Sequence, residues 1–158
     1  MFEMFKATIS KFKNSDENLK NEEIKNEEIK ALNSIVALLV EAASIDGEIG
    51  LDEKNQIKTI LTDQLNLEIK KADEILEEAI SNSSEQIEIW SKTNDIRKEL
   101  DYEERLNILE LMWEIVLVDD IIDVFEAQLM RRVSGLLYIS DIDSGNSKKR
   151  AIQKLKNN

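Results

Sequence analysis

Apolar residues recur three and four positions apart through most of this chain, the spacing of helices with one buried face. Leu32, Ile35, Val36, Leu39, Ala42 and Ala43 form one stripe, and Ile57, Ile60 and Leu61 a second. Ala72, Ile75, Leu76, Ala79 and Ile80 predict another helix, ended by the polar cluster Ser81-Asn82-Ser83-Ser84. A helix carrying Ile87, Trp90 and Ile96 follows. Asp101 with Glu104 three positions later is a capping box that announces a long helix through Leu106, Leu109, Met112, Trp113 and Val116. Leu129, Met130, Val133, Leu136 and Leu137 line its partner. Trp90 and Trp113 each fall on an apolar face, so both are expected in the core. At the start of the chain, Phe2, Phe5, Ile9 and Phe12 alternate with Lys6, Lys11 and Lys13 as a short amphipathic helix. It either folds back on its own domain or makes weak peripheral contact with a membrane surface or a protein partner.

Four Gly and no Pro in 158 residues leave few helix breakers, and the predicted class is all-α with a single domain. Residues 1–20 are expected to be the N-terminal amphipathic segment and linker, 21–143 the helical domain, and 144–158 a basic C-terminal tail. Residues 141–146 read as a polar connection, and the tail beyond, with Lys148, Lys149, Arg150, Lys154 and Lys156 and no acid, reads as a short basic helix that contacts an acidic partner or, more simply, ends as a frayed, solvated terminus. With no Cys and no His, thiolate and imidazole metal sites and most general-base mechanisms are excluded. The net charge of −12 argues against nucleic acid, whose phosphates need clustered cations. No apolar run is long enough to span a bilayer and the N-terminus has no signal-peptide core, so a cytoplasmic protein is expected.

The chemistry is concentrated in two acidic turns. Asp46-Gly47-Glu48-Ile49-Gly50-Leu51-Asp52-Glu53 separates two apolar stripes, and Asp119-Asp120-Ile121-Ile122-Asp123-Val124-Phe125-Glu126 does the same later. Asp46 and Asp119 stand 73 positions apart, as do Glu53 and Glu126, which indicates an internal duplication. Neither copy is an EF-hand loop. Ala42 stands where the first ligand belongs, and Ile115 and Leu117 occupy ligand positions in the second copy. Two half-sites can still combine: Asp46, Glu53, Asp119 and Glu126 would give one hard cation, calcium or magnesium, four carboxylates. A purely structural reading competes, because Asp-Gly ends helices and Glu in a first turn favours the helix dipole. Paired carboxylates also suit glycoside hydrolysis, but no sugar-stacking aromatics accompany them, and no enzyme is expected.

The stretches Val40-Glu41-Ala42-Ala43-Ser44-Ile45-Asp46-Gly47-Glu48-Ile49 with Glu53, and Leu111-Met112-Trp113-Glu114-Ile115-Val116-Leu117-Val118-Asp119 with Glu126, resemble the tellurite-resistance TerB family. The fold of that family is shared by the N-terminal domain of the co-chaperone DjlA. The resemblance implies a single compact bundle of about seven helices built from two similar halves, with Asp46, Glu53, Asp119 and Glu126 on an acidic metal-binding surface. The family's second turn usually also reads Asp-Gly, where this chain has Asp120. No J domain is expected within this sequence, since its His-Pro-Asp motif needs two residue types that the sequence lacks. The expected function is therefore a non-enzymatic TerB-like domain that binds a divalent cation in a stress-response or tellurite-resistance-type context. The alternative is a protein-interaction adaptor, co-chaperone-like or membrane-associated, whose acidic turns are only structural.

Overall fold

A computed structural model describes residues 20–45, 47–83, 88–119 and 122–157, the side chains of 20–25 and 119 excepted. The expected N-terminal amphipathic helix and its linker as far as residue 19, together with Asp46, Asp120 and Ile121, lie outside these residues. The described residues form an all-α bundle of seven helices with no strand among them. They are α1 (Lys20–Ser44), α2 (Leu51–Thr59), α3 (Ile69–Asn82), α4 (Ile89–Glu99), α5 (Tyr102–Val116), α6 (Val124–Leu136) and α7 (Asp141–Lys156). None of them is long and apolar enough to cross a membrane.

Two central helices organise the bundle. The α1 stripe of Leu32, Ile35, Val36, Leu39, Ala42 and Ala43 is buried, and α1 packs against α2, α3, α4 and α5. In α5 every residue from Leu106 to Val116 is buried, because α1, α2, α6 and α7 all pack against it. Such a helix has no solvent face. Asp101 caps it as its sequence predicts: Glu104 N donates to Asp101 Oδ1 at 2.9 Å and Asp101 N to Glu104 Oε1 at 3.2 Å.

Three features depart from the periodic pattern. The α2 stripe continues through Ile60 and Leu61, but the last turn, Ile60–Gln64, widens to a π-helix in which Leu65 N reaches Ile60 O at 2.9 Å. This widened turn swings Gln64 towards α5. Trp90 is 59% exposed, contrary to its expected place in the core. The buried face of α4 is Ile89, Thr93 and Ile96, and residue 90 sits about a quarter-turn from its centre at 3.6 residues per turn. Trp113 is buried as expected, with the Lys148 ammonium 5.2 Å from its ring centroid.

The third departure is the C-terminal segment, which is no frayed end. It is helical to Lys156 and packs along α5 through the fully buried Ser147 and Ala151, four residues apart. Ser140 caps it, with Oγ accepting from Asp143 N at 3.2 Å.

Candidate functional site

The two acidic turns repeat as structure as well as sequence. Glu53 is the third residue of α2, and its Oε2 accepts from the backbone N of Gly50, the N-cap. Glu126 is the third residue of α6, and its Oε1 accepts from the N of Asp123, again the N-cap, at 3.3 Å. Asp123 completes the box by accepting from Glu126 N at 2.7 Å, which Gly50, without a side chain, cannot do. Gly50 and Asp123 stand 73 positions apart, like the glutamates they hold. The cap folds each glutamate back over the turn before its helix through one carboxylate oxygen.

Of the four carboxylates read from the sequence, Glu53 and Glu126 are therefore placed, Asp119 is placed by its backbone alone in a 3-10 turn (Leu117–Asp119), and Asp46 lies outside the described residues. Among the described residues no three Asp, Glu, His or Cys side chains are grouped to hold a metal ion. Gly47 has φ +138° and closes the first turn by donating to Ser44 O at 3.1 Å, a conformation that the Asp-Gly sequence anticipates.

Two repeated features went unread in the sequence. Leu51 and Val124 are the first residues of α2 and α6, 73 positions apart, and both stand in water, 73% and 69% exposed, with Phe125 beside the second at 66%. Single exposed apolar residues need no explanation, but here both copies place one next to the carboxylates. Glu41 and Glu114 are also 73 apart, five positions before Asp46 and Asp119. Burial pushes the carboxyl of each above its ordinary range. A Glu inside the run Leu38-Leu39-Val40-Glu41-Ala42, repeated within Leu111-Met112-Trp113-Glu114-Ile115, was the available signal.

Glu114 belongs to a buried ionic cluster. Glu110 and Glu114 share one face of α5 at i and i+4, and α7 answers with Arg150 and Lys154 at the same spacing. Arg150 Nε donates to Glu110 Oε1 at 2.7 Å and Lys154 Nζ to Glu110 Oε2 at 3.1 Å; Lys154 lies 4.0 Å from Glu114. Gln64 Nε2 reaches Glu114 at 3.4 Å, and Gln64 Oε1 accepts from Lys154 at 3.4 Å. Two carboxylates and two cations thus neutralise one another between α2, α5 and α7.

The raised carboxyl of Glu114 has a consequence for pH. Desolvation is the largest cause, Glu110 adds to it, and Lys154 and Gln64 oppose both. Its folded-state pKa lies above the unfolded value, so its contribution to stability is full below about 4.5 and is lost as pH rises through the folded value. Glu114→Gln, neutral throughout, should match the parent near pH 4.5 and exceed it in melting temperature towards neutrality. Thermal melts of both chains across that range check this.

A family model described as Tellurite resistance protein TerB matches residues 32–149, a span that begins in α1, ends in α7 and contains both acidic turns. Neither the curated proteins nor the solved structures give a match to the chain.

Proposed function

We propose that this chain, which belongs to the TerB family, is a non-enzymatic cytoplasmic binding domain whose acidic turns are two half-sites for one hard divalent cation. Asp46, Glu53, Asp119 and Glu126 would hold calcium or magnesium, in a stress-response or tellurite-resistance-type setting. The observation that carries this reading is the repeated cap: both turns bend a glutamate back over themselves at the same position, 73 residues apart. An all-oxygen donor set suits a hard cation. The bound ion would neutralise the carboxylates and tie the two halves of the chain together.

The capping role and the ligating role can be separated. In Glu53→Gln and Glu126→Gln the amide oxygen still accepts from the N-cap, so stability without metal should stay close to that of the parent. Saturating calcium or magnesium should stabilise the parent by about 2.7 kcal/mol at a hundredfold excess over Kd, and neither variant to that extent. Thermal-shift titration after chelator treatment measures both quantities. Loss of the effect in one variant alone would refute a shared site.

The exposed Leu51, Val124 and Phe125 favour a second reading, a protein-interaction adaptor with structural turns. Under it, Glu53→Gln and Glu126→Gln leave function untouched, while Leu51→Ser and Phe125→Ser abolish partner binding. The amphipathic N-terminal segment would then supply a second contact, to the partner or to a membrane surface.

A further inference from the structure

The contact between α7 and the rest of the chain differs from every other in the bundle. α7 packs along α5 and has only slight contact with other helices, whereas α5 is enclosed by four of them. The interface combines small and charged groups with two aliphatic side chains: Ser147 and Ala151 are fully buried, Ile152 and Leu155 pack on the core, Arg150 and Lys154 pair with Glu110 and Glu114, Lys148 covers Trp113, and Tyr102 OH donates to Asp143 Oδ2. When such a helix leaves, Trp113 and the aliphatic groups beside it are uncovered and need a like helix to cover them again, and the ion pairs specify what can return.

The connection between α6 and α7 is short and strained. α6 ends in a Schellman motif, with Ile139 N donating to Ser134 O at 3.0 Å and Tyr138 N to Gly135 O at 3.1 Å. The left-handed position of that motif usually holds Gly, and here it is Tyr138 at φ +57°. Arg97 holds the turn closed from α4, its guanidinium 4.3 Å from the Tyr138 ring centroid and its Nη1 donating to Leu136 O at 3.0 Å. An extended Tyr138 would lose this strain and carry α7 away from its own α5.

We infer that the face of α5 bearing Glu110, Trp113 and Glu114 is an interaction surface for a second copy of this chain, whose α7 replaces the resident one. A short strained hinge and a separable terminal helix are the conditions that favour exchange of an element between identical chains. Charge complementarity fixes the occupant, because the arriving helix must present small residues at i and i+4 flanked by Arg and Lys at the Arg150 and Lys154 positions. The exchanged dimer makes every contact of the monomer and relaxes two hinges.

Two experiments on the full chain test this. Tyr138→Val places a β-branched residue where φ is positive and should strengthen dimerisation on the order of tenfold, while Tyr138→Gly relaxes the closed turn and should weaken it by a similar factor. Light scattering across a concentration series reads both, and a Tyr138→Val chain that stays monomeric at millimolar concentration overturns the proposal. The second experiment mixes Glu110→Lys/Glu114→Lys with Arg150→Glu/Lys154→Glu, each in a Trp90→Phe background that leaves Trp113 as the sole tryptophan. Each chain alone repels its own α7 and should show red-shifted Trp113 emission; the mixture should form a one-to-one dimer with the emission restored to the blue. A mixture that stays monomeric with Trp113 in water contradicts the exchange. If the charge variants fail to fold alone, the hinge variants decide.

Discussion

Replacing Arg150 and Lys154 together with Ala should cost the fold about 3 kcal/mol, near the lower end of what breaking a buried ion pair costs. The loss comes from Glu110, whose side chain is only 5% exposed and has both cations as its partners. Without them its charge is buried and uncompensated. Arg150 and Lys154 are each about one-third exposed, and water entering from their side holds the cost below the 5 kcal/mol extreme. Removing the charges from both sides reverses the sign of the argument. Glu110→Met and Glu114→Met with Arg150→Met and Lys154→Met should recover most of the loss, since an apolar set of similar volume needs no desolvation of ions. Urea unfolding followed by far-ultraviolet circular dichroism, analysed as a double-mutant cycle, gives both numbers.

Leu109→Ala should cost about 2–5 kcal/mol, and the upper half of that range is expected. Leu109 is fully buried at the middle of α5, and the helices around α5 stand on every side of it. The size of a cavity penalty depends on how far neighbours can collapse, and neighbours already packed against other helices cannot follow. Leu109→Met, which nearly conserves volume, should cost less than about 1.5 kcal/mol. At roughly 2–4 °C per kcal/mol for a chain of this size, Leu109→Ala should lower the melting temperature by about 7–20 °C. Thermal melts of the two variants check the contrast.

The elements were legible wherever one local rule decided the outcome. The α1 stripe needed only its 3.6-residue period, and the start of α5 only the pair Asp101 and Glu104. The π-turn at Ile60–Gln64 was not legible, because one widened turn leaves the apolar spacing of Ile57, Ile60 and Leu61 unchanged. Trp90 was misplaced because it was grouped with Ile87 and Ile96 on one apolar face, whereas Ile89, Thr93 and Ile96 set that face. The packing of α7 into the bundle was hidden by its own composition. Its buried positions are Ser147 and Ala151, too small to read as a hydrophobic stripe, and the cations beside them look solvated until Glu110 and Glu114 are known to face them.

The same split runs through the candidate site. Asp46, Glu53, Asp119 and Glu126 were found by their 73-residue spacing, and that spacing reappears in the N-caps Gly50 and Asp123. Glu41 and Glu114 obey it as well and were passed over, because a carboxylate within an apolar run carries no turn or cap signal of its own. Their burial is a property of the bundle, set by the helices packed on α1 and α5.

Calorimetric titration of the chelator-treated chain with calcium, magnesium and manganese tests the central claim most directly. The account predicts one ion bound per chain at submillimolar Kd, with Asp46→Asn and Glu126→Gln each weakening it, one substitution in each half. No binding by any of the three ions in that range, or a loss confined to one half, would contradict it.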